Sequence, residues 1–104
     1  MKSIIQADRE HCFACQKNAN ADYWGLDKHH VFGGANRKKS EKYGLTVYLC
    51  HDKCHLNGVH KYGGLDLMLK QIVQKRAMDH YGWSVDDFIG IFGRNYIQEE
   101  TRND

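Results

Sequence analysis

The sequence predicts an α+β fold from three observations. The β-branched and aromatic run Leu45 to Leu49 is typical of a buried strand. Beyond Gly64, apolar residues recur with a helical period. Two close cysteine pairs flank the strand-forming region, at Cys12 and Cys15 and at Cys50 and Cys54. We therefore expect strands in the N-terminal part, additional helices in the C-terminal part, and a cross-link between the cysteine-bearing segments.

The length of 104 residues predicts a single domain spanning residues 1–104. Within this domain we expect a central metal-binding part at about residues 11–62 and a C-terminal helical part at about residues 65–97. A mean hydropathy of -0.70 indicates a thin apolar core, which a bound metal would help to stabilise. The net charge of +2 neither demands nor excludes a nucleic-acid partner.

We expect a cytoplasmic protein with no membrane partner. The N-terminus shows no run that resembles a signal peptide, and no stretch approaches the ~20 apolar residues of a membrane span. In the cytoplasm disulfides are rare, and paired cysteines more often bind metal.

Between the cysteine pairs the pattern predicts two extended segments. Tyr23 to Phe32 mixes aromatic, aliphatic and histidine residues and ends at Gly33-Gly34. The polar, basic stretch from Asn36 to Lys42 is expected to be a surface loop or a short helix. The predicted strand Leu45 to Leu49 then continues into the second cysteine pair.

Two helices are predicted after Gly64. Apolar residues at offsets of four, seven, eight, twelve and sixteen from Leu65 trace one helix face, through Leu69, Ile72, Val73, Ala77 and Tyr81. Ser84 and Asp87 resemble a capping box before a short helix that Gly93 closes. We interpret both apolar faces as core, and we expect the polar tail from Gln98 to fray.

The cysteine spacing predicts a structural zinc site. Cys12-x2-Cys15 and Cys50-x3-Cys54 can close a tetrahedral thiolate cage, which stabilises a small fold directly. The 34 residues between Cys15 and Cys50 exceed the usual ribbon spacing and indicate a substantial insertion. Four free buried thiols are the alternative. Because the second pair is one residue longer than the common form, His51 or His55 are alternatives to Cys54 as the fourth ligand.

Four histidines, two in the insertion and two near the second cysteine pair, predict a hydrolytic site. His29 and His30 end a predicted strand, and His55 and His60 follow near the second cysteine pair. Phosphodiester hydrolysis needs a base for water and a cation for the leaving oxygen, and neutral imidazole can serve either role. Ordinary structural histidines are the alternative.

The order Cys-x2-Cys, His-His, Leu-Cys and Cys-His resembles the HNH endonuclease family, also called His-Me finger nucleases. The segments His29 to Gly44, Tyr48-Leu-Cys50 and Gly58-Val-His60 are similar to short phage and prophage proteins. Those proteins are grouped with the recombination-enhancing, RecA-dependent nucleases, which Leu65-Asp-Leu and Phe92-Gly-Arg-Asn-Tyr96 also resemble. The resemblance covers nearly the whole chain.

The resemblance implies a ββα-metal (HNH) fold: a β-hairpin and a helix that grip one divalent ion and cut DNA. It assigns His29, His55 and His60 as catalytic-metal ligands, His30 as the general base, and the four cysteines as zinc ligands. Magnesium or manganese is expected as the catalytic ion, although three imidazoles also accept zinc or nickel. It further implies a phage or prophage origin in a bacterial cytoplasm, with DNA and a recombinase or another phage DNA-processing protein as partners.

Two features depart from the family pattern. Gly44 and Leu45 occupy the place of the family asparagine, which leaves Asn36 or Asn57 as candidates to orient the base. His55 and His60 lie five residues apart instead of the four that align on a helical turn, so we expect a loop with a bend at Gly58.

A basic stretch follows the histidine pair and is predicted to contact DNA phosphates; its residues are Arg37, Lys38, Lys39 and Lys42. A solvated surface is the alternative interpretation of such a run. For the whole chain, the main rival to a nuclease is a non-catalytic zinc module that binds DNA or a recombination or replication partner. A redox protein using Cys12 and Cys15 is a third hypothesis, but nothing nearby resembles a thioredoxin-like βαβ unit.

Overall fold

Two antiparallel strands place the histidine pair. The structure, a computed structural model, describes residues 2–16, 18, 25–60 and 63–97. Strand β1 spans Leu26–His30 and β2 spans Thr46–Cys50, in a register that pairs His30 with Thr46. Because side chains alternate along a strand, Asp27 and His29 lie on one face of the sheet and Lys28 and His30 on the other. The predicted second strand is confirmed, displaced by one residue.

The first extended segment is shorter than expected. It ends at His30, and Val31 and Phe32 leave the strand and are buried in the core. The expected start of this segment at Tyr23 lies outside the described residues. A hydrogen bond from the Val31 N–H to the Leu45 carbonyl, at 3.1 Å, ties the residue after β1 to the residue before β2.

The basic stretch forms a helix. After a 3-10 turn at Gly34–Asn36, helix α1 spans Arg37–Tyr43 and ends at Gly44, whose φ is 73°. A Cβ on Gly44 would lie 2.5 Å from the Lys2 carbonyl oxygen, so only glycine fits there. The buried Ser40 hydroxyl accepts from the Phe32 N–H and donates to the Phe32 carbonyl. These two bonds hold α1 against the end of β1.

A π-helical segment, His51–Val59, follows β2 directly. Helix α2 spans Gly63–Tyr81 and α3 spans Val85–Phe92. The predicted capping box is confirmed, since the Ser84 hydroxyl accepts from the Asp87 N–H and the Asp87 carboxylate accepts from the Ser84 N–H. The tail from Gln98 lies outside the described residues.

The buried apolar residues form one cluster, which runs along the chain from Ile5 to Phe92. Leu69, Val73 and Ala77 of α2 belong to it, and Leu65 and Tyr81 pack against it, which confirms the predicted core face except at Ile72. On α3 the predicted core face is interrupted by Ile89, which is 37% exposed. Phe32 packs on α3, with ring centroids 5.4 Å from Phe88 and 4.8 Å from Phe92. The mixture of strand and helix agrees with the α+β prediction. Among the residues described, no helix has the length and apolar character needed to cross a membrane.

Candidate metal centres

The four cysteines form one thiol group. Their sulfur atoms all lie within 4.8 Å of one another, and all four are reduced. A tetrahedral site with Zn–S bonds of about 2.3 Å separates its sulfurs by about 3.8 Å. The Cys15 and Cys50 sulfurs are 3.9 Å apart, which agrees with that geometry. The four sulfurs therefore fit a single zinc ion, and four free thiols remain the alternative when no ion is bound.

The sheet explains why the two cysteine pairs meet. Cys50 ends β2, and Cys54 lies four residues later in the π-helical segment. The loop that carries Cys12 and Cys15 is tied to the same strand, because the Phe13 N–H donates to the Tyr48 carbonyl at 2.7 Å. Neither His51 nor His55 replaces Cys54, since both imidazoles bind a carboxylate on β1 instead.

The electrostatics of the thiol group favour a bound cation. Burial raises the pKa of Cys12, but backbone N–H groups of Cys15, Cys50 and Ala14 lower it to about 7. Burial and the neighbouring thiols raise the pKa of Cys54 above its ordinary value. Four thiolates so close together repel one another strongly, so all four ionise together only around a positive ion.

A second group consists of His29, His55 and His60, whose ring nitrogens also lie within 4.8 Å of one another. The Nε2 atoms of His55 and His60 are 3.2 Å apart. His29 is 7% exposed, and its Nε2 has no hydrogen-bond partner among the described residues. A buried nitrogen without a partner is costly unless an ion or a water satisfies it. The three imidazoles therefore fit a metal ion.

The pKa of His29 also suits a ligand. Burial, followed by the nearby imidazoles of His55 and His60, lowers the pKa of His29 to about 4. The ring is therefore neutral at physiological pH, and a neutral imidazole keeps the lone pair that binds metal.

The expected loop between His55 and His60 is wrong. The segment is π-helical, and its hydrogen bonds join residues five apart, as between the His60 N–H and the His55 carbonyl at 3.3 Å. Residues five apart thus share one side of this helix. Gly58 lies in a close contact instead of a bend, because a Cβ there would lie 2.8 Å from a Leu65 methyl group and 3.1 Å from the Lys53 carbonyl oxygen.

Asp27 is a functional residue that sequence reasoning missed. Its Oδ2 accepts hydrogen bonds from Nδ1 of His55 at 2.8 Å and from Nδ1 of His51 at 2.6 Å. With its proton on Nδ1, His55 directs the Nε2 lone pair at the other two histidines. A carboxylate behind a ligating histidine fixes the ring orientation and raises its basicity. The available signal was the alternation that puts Asp27 and His29 on one face of β1.

His30 lies on the other face of β1 and binds Glu41 of α1. Its Nε2 is 2.7 Å from Glu41 Oε1, and the Lys28 ammonium contacts the same carboxylate oxygen at 3.0 Å. The expected asparagine partners are absent from this contact. Asn36 donates to the Phe92 carbonyl and Asn57 to Asp52. A carboxylate therefore orients His30.

The three-histidine group and His30 line one open cleft of about 740 Å³. The cleft is also lined by the cations Lys28, Arg37 and Lys70. Among the described residues β1 pairs with β2 alone, so side chains from both faces of β1 reach the cleft at its other edge. Lys70 of α2 was not foreseen, since that helix was interpreted only as core. It forms an ion pair with Asp66 at 2.8 Å.

The predicted basic stretch divides into residues with different surroundings. Arg37 lines the cleft, whereas the Lys39 ammonium donates to the Ile91 carbonyl of α3 at 2.6 Å. Lys42 lies over the ring of Tyr43 at 5.3 Å, and Lys38 is exposed. Only Arg37 of the four is placed beside the histidines.

Comparisons of the chain with known protein families, with curated proteins and with solved structures found no match. The functional interpretation consequently depends on the site itself and on the sequence resemblance described above.

Proposed function

We propose that the protein is a metal-dependent DNA endonuclease of the HNH type, which hydrolyses phosphodiester bonds. One observation carries the proposal: a carboxylate-bound histidine, His30, lines the same cleft as three convergent imidazoles that fit a metal ion. A base for water and a cation for the leaving oxygen are the two requirements of the reaction. Two antiparallel strands followed by a helical segment, with His29 on β1 and His55 on the helical segment, support the ββα-metal fold.

In the proposed mechanism His30 is the general base. Because Nε2–H donates to Glu41, the lone pair is on Nδ1, and this atom takes the proton from the attacking water. The Glu41 carboxylate holds the ring and stabilises the imidazolium that forms.

His29, His55 and His60 would hold the catalytic ion, with Asp27 fixing His55. A bound divalent ion supplies positive charge for the departing 3′ oxygen. Magnesium or manganese is our expectation in the cell, although both prefer oxygen ligands and the all-imidazole set is better suited to zinc or nickel. The cysteine group serves as the structural zinc site.

DNA is proposed as the substrate because the cleft presents cations to a polyanion. Lys28, Arg37 and Lys70 line the cleft together with Asp27 and Asp66, which leaves a small excess of positive charge. Contacts of cations with phosphates position DNA without reading bases. Recombination, a phage origin and a recombinase partner are supported by the sequence resemblance alone.

A plasmid-cleavage assay with added magnesium, manganese, zinc or nickel tests the proposal. His30→Ala should lose about 10²–10⁴-fold in rate while zinc content and DNA binding stay near parental, because only the base is removed. His80→Ala is the matched control, since His80 is an exposed histidine on α2.

Two results would contradict the proposal in different ways. A parent protein that binds DNA but cuts with none of the four ions is a non-catalytic zinc module. Parental cleavage by His30→Ala would remove His30 as the base and make His29 the next candidate.

A further inference from the structure

We propose that Tyr48 and Arg9 form a binding site for one unpaired nucleobase of a DNA strand, next to the histidine cleft. The site lies in a second cleft of about 900 Å³, between the N-terminal segment and β2. Its position relative to the cut rests on the proposed function, whereas base binding itself does not.

The two clefts adjoin at one residue. Lys28 lines both of them, and it lies directly opposite Tyr48 in the sheet register. His30 is two residues further along β1 on the same face. Diagonal neighbours in an antiparallel sheet are about 7–8 Å apart. A strand with a base on Tyr48 therefore has a neighbouring phosphate within reach of His30.

The backbone of Tyr48 is held on both sides. Its N–H donates to the Gln6 side chain at 2.7 Å, and its carbonyl accepts from the Phe13 N–H at 2.7 Å. The ring itself is only half-buried. An accessible aromatic ring on a fixed backbone presents a face on which a base can stack.

Arg9 lies over the same ring, with its guanidinium carbon 6.0 Å from the ring centroid. A base inserted between them needs two layers of about 3.4 Å, or about 6.8 Å in total. The separation of Arg9 from the ring is of this order, and the exposed Arg9 side chain can adjust to accept a base between a cation and an aromatic ring.

The charges of this cleft suit a backbone with few contacts. Lys2, Arg9 and Lys28 line it together with Asp8 and Glu10, so its formal charge is only slightly positive. The Asp8 carboxylate is turned to its own segment, where it accepts from the Glu10 N–H at 2.8 Å. Stacking, not phosphate binding, is therefore the main source of affinity. A base inside a duplex already has both faces covered, so the site selects an unpaired base.

Fluorescence anisotropy with a labelled oligothymidylate tests the site, using the full zinc-loaded chain without added magnesium or manganese. Tyr48→Leu should weaken binding by about 5- to 150-fold, the range for one base–aromatic stack, whereas Tyr48→Trp should retain it. Arg9→Gln should also weaken binding. Lys75→Gln, an exposed residue of α2 outside both clefts, controls for lost charge and should change little.

A loss under 2-fold for Tyr48→Leu, or an equal loss for duplex DNA, would overturn the proposal. If Tyr48→Leu fails to fold, ultraviolet cross-linking of a bromouracil oligonucleotide to the parent decides instead. Cross-links at Tyr48 or Arg9 support the site, and cross-links confined to other residues refute it. If the protein binds oligothymidylate through Tyr48 but never cleaves DNA, the base-binding site is supported and the proposed nuclease function is refuted.

Discussion

Replacing Asp27 with Asn tests how the histidine site is held. The substitution keeps the size of the side chain and removes its charge. In the parent, Oδ2 accepts from both His51 and His55, but only His55 belongs to the histidine group. We therefore expect weaker metal binding by the histidines and little change at the cysteines.

The magnitude follows from the one bond that supports a ligand. A hydrogen bond to a charged acceptor contributes about 1.5–3 kcal/mol, and a neutral one about 0.5–1.5 kcal/mol. An amide oxygen can still accept from His55, so the loss is about 1–2 kcal/mol. Metal affinity should fall about 5- to 30-fold, near the range known for partners of metal-bound histidines.

Competition with a chromophoric chelator measures the affinity of the weaker metal site, and elemental analysis counts the retained zinc. Asp66→Asn is the control, because it removes a carboxylate from the same cleft that pairs with Lys70 and touches none of the three histidines by hydrogen bond. Equal affinities for the two variants would refute the role of Asp27. Loss of the tightly held zinc would show that Asp27 supports the thiol group.

Three other predictions concern the remaining parts of the site. Chelation of zinc, or Cys12→Ser, should unfold or strongly destabilise the chain, because zinc binding supplies folding free energy to a protein with a thin core. Circular dichroism of the zinc-free protein measures this, and an unchanged melting curve would contradict it. Arg37→Ala should weaken DNA binding and flatten its salt dependence, since Arg37 lines the cleft. Lys39→Ala should instead mainly lower the melting temperature, because it loses the hydrogen bond to the Ile91 carbonyl. Identical salt dependence of DNA binding in the parent and in Arg37→Ala would show that Arg37 does not contact phosphates. His60→Ala should keep one tightly bound zinc per chain and a near-parental melting temperature, but it should lose DNA cleavage, partly recovered at high manganese concentration. Elemental analysis measures the zinc, and the plasmid assay measures cleavage. Loss of the tightly bound zinc would mean that His60 is a zinc ligand.

The sequence was most informative where ligand chemistry is encoded in neighbouring residues. The Cys-x2-Cys and Cys-x3-Cys pairs predicted a cluster, and the structure brings the four sulfurs together. The helical period after Leu65 and the Ser84–Asp87 box likewise depend on local spacing, and both are confirmed.

Sequence reasoning failed where geometry departs from the usual periods. The five-residue spacing of His55 and His60 suggested a loop, because an α-helix aligns residues three or four apart. A π-helix aligns residues five apart, but it is so rare that spacing alone does not suggest it.

The carboxylates were missed for a related reason. Asp27 and Glu41 reach their histidines from separate elements, 28 residues from His55 and 11 residues from His30 along the chain. Their roles depend on how the π-helical segment and α1 pack against β1. The alternation along β1 puts Asp27 on the same face as His29, but no local pattern in the sequence pairs either carboxylate with its histidine.

The π-helical segment divides successive residues between two candidate ligand groups: Cys54 belongs to the thiol group and its neighbour His55 to the histidine group. Under the proposed function, a chain without zinc at the cysteines would lack the segment that presents His55. Zinc binding would then precede binding of the catalytic ion. Cellular zinc supply, rather than the supply of the catalytic ion, would then decide how much active protein is made. A pool of newly synthesised, zinc-free chains would be harmless to DNA.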